Sequence, residues 1–423
     1  MKITVVIPCF NVQSYIGECI ESVEKQTFTE IEVICINDGS TDNTGDILKQ
    51  YSEKYRNVKV LAQQNRGVAY SRNLGIQEAL GEYIFFLDAD DYLISENALI
   101  SLYQGIMKYG TDLCGGKIIF DQYDGFYFGD DREKRFFDRE GKYYYSDYQF
   151  DLGFTRYLYR TSFLRENQVY FADLRNREDP PFLVKAMVNA SEFATVTENI
   201  YFYRSVEKER NEFNKMTRSD ILKGFLLELK IAGMHGLERL HKDCIKNFNA
   251  LWGLYYQDVI QENQEILEGL AAIKETLRPE WILPDNPEDV ELRVFQEKEN
   301  YSDYLQKRNS FIDSVRSAKR VIVYGAGIVG RSTIAYLSSI VGNEKLKAAV
   351  TCIAGNRNEI NGIPVREITE YVSEKNIALV VVATECRYHK EISDFLDTLG
   401  FMNRCYLSYD LINVWSEMKI SDK

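Results

Sequence analysis

The strongest constraint on the fold is a regular alternation of strand-like and helix-like segments over the first 90 residues. Residues 3–8, ITVVIP, form a continuous apolar run typical of a strand buried on both faces, and helical spacing follows in YIGECIESVEKQ. The pattern repeats through IEVICIN, GDILKQYSEKY, VKVLAQ, GVAYSRNLGIQEAL and EYIFFL. This alternation predicts a doubly wound, largely parallel α/β sheet, and such sheets bind ligands at the carboxyl ends of their strands.

The remaining sequence divides into three parts, and a length of 423 residues predicts two or three domains. Residues 111–205 are rich in aromatic side chains and predict mixed strands and loops beside the main sheet. Residues 206–310 carry amphipathic runs and predict a mostly helical connector. From residue 319, KRVIVYGAGIVGRSTIAYLSSI, ALVVVAT, a helix from about 389 and RCYLS predict a second, smaller α/β domain. The predicted domains are therefore 1–205, 206–310 and 311–423.

Charge and cysteine usage narrow the class of protein. The formal net charge of −13 argues against a nucleic-acid partner, which needs clustered Lys and Arg in excess, and an anionic substrate would need a local cation. The eight cysteines form no C-x-x-C pair, which favours reduced thiols in the cytoplasm. The sequence also lacks the features of a signal peptide and of a membrane-spanning stretch. We therefore expect a cytoplasmic protein, with any membrane contact peripheral and at the inner face.

Three carboxylates follow the fourth predicted strand, in YIFFLDADDYL at residues 83–93. Asp88 and Asp90 point the same way in an extended segment, and at about 4 Å and an effective dielectric near 20 they would repel by about 4 kcal/mol. A hard divalent cation such as Mg²⁺ or Mn²⁺, which also binds diphosphate oxygens, would offset that repulsion. The alternative is that the acidic run only caps a helix beginning near Tyr92.

A second polar turn follows the second predicted strand, in VICINDGSTDNT. Ser40, Thr41 and Asp42 are residue types that cap helices, and we expect them to cap the helix that follows. Capping does not account for Asp38. A carboxylate at the end of a strand is well placed to accept hydrogen bonds from a uracil-like base or its ribose.

Four ordered motifs, VVIPCFN, INDGSTDNT, NRGVAYSRNLGI and YIFFLDADD, resemble the family 2 glycosyltransferases with the GT-A fold. The resemblance covers residues 1–205 and implies the nucleotide-diphospho-sugar transferase fold. In that family the D-x-D segment holds the metal on the nucleotide diphosphate, the first strand frames the base, and the Asp of the D-G-S turn recognises the base. The implied metal ligands are Asp90 and Asp88, and the implied donor-binding residues are Pro8, Phe10, Asn11, Asp38, Arg72, Asp88 and Ala89. For Arg72 the alternative is a plain salt bridge to the acidic crevice.

The resemblance also supplies a catalytic base. Residues 174–187, LRNREDPPFLVKAM, contain Glu178 and Asp179 before two prolines, and the family carries an E-D pair here whose Asp deprotonates the acceptor. N-capping is the alternative for Asp179, since Pro favours the first helical turn. Upstream of this pair, Arg156 stands where the family commonly has Lys. Downstream, Arg204 lies in the recurring segment YFYRS, where it would either bind the diphosphate or have a structural role.

Together these features predict an inverting, metal-dependent glycosyltransferase. By the resemblance, its donor would be a UDP-linked nucleotide sugar, and its acceptor a hydroxyl of a bacterial surface glycan or of the lipid-linked saccharide precursor. The metal would be Mn²⁺ or Mg²⁺. The alternatives are an NAD(P)-linked oxidoreductase and a non-catalytic nucleotide-sugar-binding protein. The sugar, the linkage and any homo-oligomer stay open.

The C-terminal α/β segment carries a second glycine motif. Gly325, Gly327 and Gly330 have G-x-G-x-x-G spacing between a strand and a helix, which makes them a candidate nucleotide or phosphate site. The acidic residue that usually binds the ribose of NAD is missing, and Thr351, Cys352 and Asn356 stand in that region instead. The segment resembles small Rossmann-like domains attached to bacterial polysaccharide-biosynthesis proteins. Docking or oligomerisation is the alternative role.

Overall fold

The computed structural model describes residues 1–120, 137, 139–204, 215–282, 292–351, 359–384 and 388–407. The chain forms two compact units, Met1–Ile245 with Ala271–Ile282, and Lys246–Leu270 with Leu283–Lys423. Each unit has its own β-sheet. The domain borders expected from the sequence, after residues 205 and 310, stay a prediction.

The first unit begins with the predicted alternation, which is confirmed. Its elements are β1 (Ile3–Cys9), α1 (Ile16–Glu24), β2 (Ile31–Asp38), α2 (Thr44–Lys54), β3 (Val58–Gln63), α3 (Val68–Glu78) and β4 (Tyr83–Phe86). β1 pairs in parallel with β2 and β4, and β2 pairs in parallel with β3. β4 pairs with β1 only as far as Val6, so β1 extends beyond its neighbour at the carboxyl edge of the sheet.

The rest of this sheet is mixed, as predicted. It comprises β5 (Tyr92–Leu93), α4 (Ala98–Tyr109), β6 (Leu113–Phe120), β7 (Gly141–Tyr144), α5 (Tyr145–Tyr148), β8 (Tyr157–Arg160), α6 (Thr161–Glu166), α7 (Asp179–Ala190) and β9 (Glu192–Tyr203). The strand order is β3-β2-β1-β4-β8-β6-β9-β5, with β7 on β9. Tyr92 begins a strand paired with β9, and the next helix starts at Ala98. The alternative that the acidic run caps a helix at Tyr92 is therefore wrong.

Apolar side chains cover both faces of the parallel half, which explains its continuous apolar runs. Val5 and Val33 belong to the core on one face, whereas Val6 and Ile34 belong to the core on the other. Helix α3 packs especially closely, because a Cβ at Gly75 would lie 2.3 Å from a methyl carbon of Val6. Glycine at this position therefore lets α3 approach β1 and sets where the polar residues of α3 lie.

The segment from residue 215 to 317 is mostly helical where it is described, as predicted. It contains α8 (Lys215–Met234), α9 (Glu238–Asn249), α10 (Trp252–Ile260), α11 (Gln264–Thr276), α12 (Pro279–Ile282), α13 (Arg293–Glu297) and α14 (Tyr301–Ser317). Helix α8 belongs to the first unit and α10 to the second. None of the helices in the described ranges combines the length and apolar composition needed to cross a membrane.

The second unit contains the second α/β sheet that the sequence predicts. Its elements are β10 (Arg320–Tyr324), α15 (Ile328–Val341), β11 (Leu346–Val350), β12 (Glu359–Ile360), β13 (Ile363–Glu367), β14 (Ala378–Ala383), α16 (His389–Leu399) and β15 (Arg404–Leu407). The strand order is β12-β13-β11-β10-β14-β15. All pairs are parallel except β12 with β13.

The three motif glycines of this unit have different structural reasons. A Cβ at Gly330 would lie 1.9 Å from the Gly325 carbonyl oxygen, so packing of α15 against the turn requires glycine there. Gly325 has φ +126°, and a Cβ there would meet the carbonyl oxygen of Ala383 at 2.4 Å. By contrast, no atom lies within 4 Å of a Cβ placed on Gly327. The motif is therefore partly a packing requirement.

We expect Gly330→Ala to destabilise the second unit by about 1–3 kcal/mol, because backbone must move to admit the methyl group. Gly327→Ala is the matched control and should change the free energy of unfolding by less than about 0.5 kcal/mol. Differential scanning calorimetry of the full chain measures both. Equal thermal stability of the two variants would contradict the packing argument.

Candidate active site

The loops that follow β1 and β2 are fastened to each other by reciprocal hydrogen bonds. The backbone N–H of Asn11 donates to Ser40 Oγ at 3.1 Å, and the N–H of Thr41 donates to Asn11 Oδ1 at 2.9 Å. Asn11 adopts φ +52°, a left-handed conformation that Asn tolerates better than most residues. The N–H of Gln13 also donates to Asp42 Oδ2, at 3.1 Å. These bonds fix the carboxyl edge of the sheet where the first two strands end.

The expected capping of α2 is only partly realised. Asp42 Oδ1 accepts the N–H of Thr44, the first residue of α2, at 3.0 Å. Ser40 and Thr41 instead contact Asn11, so the expectation that these two residues cap the helix is wrong. Their polar groups hold two loops together.

Phe10 and Pro8 lie beside this pair of loops. Pro8 is partly buried within β1, whereas 46% of Phe10 is exposed. An exposed aromatic ring on a fixed loop is suited to stacking against a planar base. The role of Pro8, Phe10 and Asn11 in framing the base stays a prediction.

Asp38, at the end of β2, is 4% exposed, and its carboxylate is engaged by the protein. Its Oδ1 accepts from Gln63 Nε2 at 2.7 Å and from the N–H of Arg66 at 2.8 Å, and its Oδ2 accepts from the N–H of Gly67 at 2.8 Å. Asp38 thus shapes the loop that leads into α3. Its expected contact with the base stays a prediction.

The acidic residues after β4 form a tight turn. The N–H of Asp91 donates to the Asp88 carbonyl oxygen at 3.0 Å, and Ala89 is buried within the turn. Tyr201 on β9 holds both ends, since its hydroxyl donates to Asp91 Oδ2 at 2.6 Å and accepts the N–H of Asp88 at 3.2 Å. Asp90 is 7% exposed, whereas the side chain of Asp88 is 22% exposed.

Arg204 fixes the same turn from the end of β9. Its N–H donates to Asp91 Oδ1 at 2.7 Å, and its Nε donates to the Asp90 carbonyl oxygen at 3.0 Å. Its Nη2 forms a 2.6 Å ion pair with Glu18. Of the two roles left open for Arg204, these contacts realise the structural one.

The neighbouring carboxylates of this turn affect the pKa of Asp91. Burial raises the pKa of Asp91 to about 8, with further contributions from the charges of Asp88 and Asp90. The carboxylate oxygens here are the hard donors that Mg²⁺ and Mn²⁺ prefer. Across the described ranges, no group of three or more His, Cys, Asp or Glu residues is arranged to hold a metal. Mg²⁺ is commonly bound through one or two carboxylates, with phosphate and water oxygens completing its shell, and a metal at Asp88 and Asp90 stays a prediction.

Arg72 links this turn to the predicted catalytic pair. Its side chain, 5% exposed, forms a 2.7 Å ion pair with Asp88 Oδ1 through Nη2 and another at 2.7 Å with Glu178 Oε1 through Nη1. The guanidinium carbon lies 4.6 Å from the ring centroid of Phe154 and 5.2 Å from that of Phe171. Burial opposes the charged form of Arg72, but Asp88 and Glu178 outweigh it and raise its pKa. The salt-bridge alternative is thus present, and donor contact by Arg72 stays a prediction.

Asp179 is the first residue of α7 and is partly buried. The N-cap position belongs to Glu178, and no side chain caps this helix, so the capping alternative for Asp179 is wrong. Within the described part of the chain, the Asp179 carboxylate accepts no hydrogen bond from another residue. Burial and then the charge of Glu178 raise its pKa to about 7, while Arg72 and Arg177 act in the opposite direction. An open carboxylate that titrates near neutral pH is suited to general base catalysis.

Two exposed arginines lie near the loop that Asp38 shapes. The guanidinium carbon of Arg66 lies 3.4 Å from the Tyr70 ring centroid. The Cγ of Arg175 lies 4.0 Å from the Cβ position of Gly67. Neither guanidinium forms an ion pair with a described residue. They place positive charge at this loop in a chain whose formal net charge is −13.

The sequence did not single out several residues that organise this site. The Tyr201 hydroxyl accepts the N–H of Asp88, Gln63 donates to Asp38, and the charge of Arg177 acts on Asp179. Tyr201 begins the segment YFYRS and Arg177 lies in LRNREDPPFLVKAM, but neither motif marked these two residues. Arg156, predicted as a replaced lysine, is 1% exposed and its guanidinium carbon lies 3.7 Å from the centroid of the Phe137 ring.

The second glycine motif is described less completely. The hydroxyl groups of Tyr324 and Thr351 hydrogen bond at the ends of β10 and β11. Cys352 and Asn356, which stand near the expected position of a ribose-binding acid, lie outside the described residues. A nucleotide or phosphate site at Gly325, Gly327 and Gly330 stays a prediction.

Comparison with known proteins identifies the first unit. The model of Glycosyl transferase family 2 matches residues 4–166. The chain is 32% identical over 251 residues to Glycosyltransferase GlyG of Streptococcus pneumoniae, covering 56% of this chain and 82% of that protein. It is 30% identical over 255 residues to the poly(ribitol-phosphate) beta-N-acetylglucosaminyltransferase TarS of Staphylococcus aureus, covering 58% of this chain but only 43% of TarS.

A crystal structure of residues 1–349 of S. aureus TarS in complex with UDP-GlcNAc superposes with a TM-score of 0.59 at 21% identity, covering 72% of this chain and 92% of that one. This likeness shows the GT-A fold. The chain therefore belongs to glycosyltransferase family 2. It is a glycosyltransferase, as the four sequence motifs predicted.

We expect Arg72→Met to lower the free energy of unfolding by about 3–5 kcal/mol, because it leaves Asp88 and Glu178 without their buried cation. Adding Glu178→Gln should recover part of this loss, since one unpaired charge is then removed. Urea unfolding measures both variants. Arg56→Met, at an exposed arginine before β3, is the control and should be nearly neutral. A loss below about 1 kcal/mol for Arg72→Met would show that the bridge does not stabilise the site.

Proposed function

We propose that this glycosyltransferase moves a sugar from a nucleoside-diphosphate donor, a UDP-sugar, to a hydroxyl group of a bacterial surface glycan or its lipid-linked precursor. The observation that carries the proposal is the bridge made by Arg72. Its guanidinium contacts Asp88 and Glu178 at 2.7 Å each. One buried cation therefore joins the turn expected to face the donor to the segment that bears the expected base.

Asp179 is the residue that we assign to the acceptor. A carboxyl group with a pKa of about 7 is half ionised at neutral pH and is a stronger base than an ordinary Asp. As the acceptor oxygen attacks the anomeric carbon, its proton passes to Asp179. The bond from that carbon to the diphosphate oxygen breaks, and the nucleoside diphosphate leaves with the electron pair. A single displacement inverts the anomeric configuration and needs no enzyme nucleophile.

The donor half of the proposal rests on the loops after β1 and β2. The exposed ring of Phe10 offers a stacking surface for a base, and the loop held by Asp38 leads to the exposed cation of Arg66. Arg66 and Arg175 supply positive charge that a diphosphate requires near an acidic crevice. The related TarS was crystallised with UDP-GlcNAc, which supports a UDP-sugar as the donor here.

The acceptor part of the proposal rests on the names of related proteins. TarS, by its name, transfers N-acetylglucosamine to poly(ribitol-phosphate). We extend to this chain only the class of acceptor, a hydroxyl group on a cell-surface glycan or its precursor. A location at the inner face of the membrane would suit a lipid-linked acceptor and stays a prediction.

Asp88 and Asp90 are the residues that would hold Mn²⁺ or Mg²⁺. When bound, the ion would neutralise charge on the diphosphate and so make it a better leaving group. Arg72 holds Asp88 in place from the buried side, and Arg204 holds the backbone of Asp90. The match to family 2 favours a glycosyltransferase over the NAD(P)-linked oxidoreductase, and the Asp179 carboxylate, which accepts no hydrogen bond from another described residue, favours catalysis over simple nucleotide-sugar binding.

We expect Asp179→Asn to lower kcat for transfer by about 10²–10⁴-fold while UDP binding changes less than about twofold. In the unmodified enzyme kcat should rise with pH to a plateau, because the base must be deprotonated, and should reach about one tenth of the plateau at pH 6 and half near pH 7. UDP release from a panel of UDP-sugars measures turnover, and calorimetry measures UDP affinity. Glu53→Gln on α2 is the control. Unchanged turnover in Asp179→Asn would remove this residue from its role.

Asp90→Ala should abolish the dependence of donor use on added metal. In the unmodified enzyme, EDTA should stop UDP release and Mn²⁺ should restore it, and UDP should bind at least about tenfold more tightly with Mn²⁺ than without. Asp90→Ala should show the weaker affinity under both conditions. Turnover that survives EDTA would show that the carboxylates of the turn act without a metal.

A further inference from the structure

Arg177, two residues before Asp179, has an unusual backbone conformation. Its φ is +61°, in the left-handed region that non-glycine residues rarely occupy. Such a conformation costs about 1–3 kcal/mol and persists only where the surroundings enforce it. The residue therefore needs a structural cause close to the catalytic pair.

Helix α8 supplies that cause. A Cβ at Gly224 would lie 2.7 Å from the Arg177 carbonyl oxygen and 2.9 Å from the Arg177 Cβ, so the helix backbone lies directly against this residue. One residue on, the ring centroid of Phe225 is 3.5 Å from the Arg177 guanidinium carbon. Glycine at 224 permits this contact, and Arg177 has little room to relax.

An ion pair on the same helix holds the side chain. Arg177 Nη2 lies 2.9 Å from Glu228 Oε2 and 3.7 Å from Asp151 Oδ2. Glu228 is fully buried, and burial raises its pKa while the charge of Arg177 opposes that rise. Buried ion pairs contribute little net stability because desolvation offsets their attraction. Their value lies more often in fixing one geometry.

We propose that Arg177, held by Gly224, Phe225 and Glu228 of α8, is a positioning residue that fixes the location and the charge environment of Asp179. Helix α8 is then part of the catalytic apparatus. The inference rests on the proposed role of Asp179 as the base. Both Asp179 and α8 lie beyond residues 4–166, the segment that the family model matches.

The charged and titratable groups around Asp179 determine how its pKa should respond to a substitution. Glu178 adjoins it, Arg72 and Arg177 act on it as cations, and Tyr159 interacts with it from β8. The Tyr159 hydroxyl donates to the Phe154 carbonyl oxygen at 2.7 Å, and its pKa is raised well above the usual value, so it stays neutral. A nearby cation favours the ionised carboxylate, so loss of Arg177 should raise the pKa of Asp179.

The test measures that pKa directly, without a substrate. In the full chain labelled with ¹³C at the Asp side-chain carboxyls, NMR follows the signal that Asp179→Asn removes. We expect a midpoint near pH 7 in the unmodified protein and an upward move of about one unit in Arg177→Gln. Arg177→Lys keeps the charge and should stay within about half a unit of the original.

Two further variants separate positioning from folding. Arg177→Gln leaves Glu228 buried without its partner and can fail to fold, so Arg177→Gln with Glu228→Gln removes both charges and should still show the upward move. Glu228→Gln alone keeps the cation and should not move the midpoint upward. Arg56→Gln, which removes an exposed charge before β3, is the control for net charge.

Kinetics complete the test. In the Arg177 variants that lack the charge, the pH at half-maximal kcat should follow the NMR midpoint while UDP affinity is unchanged. If Asp179→Asn loses transfer but the double variant keeps the original midpoint and kcat, the inference about Arg177 is wrong and the proposed function stands. If Asp179→Asn keeps full transfer, the proposed base is wrong whatever Arg177 does.

Discussion

The buried guanidinium of Arg72 is the interaction on which the candidate site depends. Its two terminal nitrogens form ion pairs of 2.7 Å, one with Asp88 and one with Glu178, whose side chains are 22% and 10% exposed. Without it, each carboxylate would have to be protonated or exposed, and either change would alter the turn after β4 or the start of α7. The close packing of α3 on β1, which Gly75 permits, is what brings Arg72 to this position. The packing of the core therefore sets where the Arg72 cation lies relative to the two carboxylates.

A second constraint is that the crevice is built from strand ends that need mutual support. The loop after β1 and the loop after β2 satisfy each other's backbone donors through Asn11, Ser40 and Thr41. The turn after β4 has its donors and acceptors satisfied from β9 by Tyr201 and Arg204. Polar groups left without a hydrogen bond in these loops would cost free energy once a bound nucleotide sugar excludes water. These loops are therefore held by their own hydrogen bonds, whereas the Asp179 carboxylate accepts none from another described residue.

Asp179 and Asp91 are the same type of residue, but their carboxyl groups have different partners. Both have a raised pKa, with burial as the largest cause and neighbouring carboxylates adding to it. Asp91 is fully engaged by Tyr201 and Arg204 and serves the turn. Asp179 has no such partner among the described residues, and the strained Arg177, against which α8 packs, lies two positions before it. The same chemistry therefore yields one structural and one candidate catalytic carboxyl group.

The sequence by itself determined the alternating α/β order, the second sheet, the family and the positions of Asp38, Asp88, Asp90 and Asp179, because local periodicity and short motifs are encoded by neighbouring residues. It misjudged capping by Ser40 and Thr41, since cap residue types carry no information on what else lies nearby. Only the tertiary structure decided that Arg72 bridges Asp88 and Glu178, 106 positions from Arg72, and that α8 presses on Arg177. Those contacts depend on which surfaces pack together in three dimensions, and no local pattern along the chain specifies that.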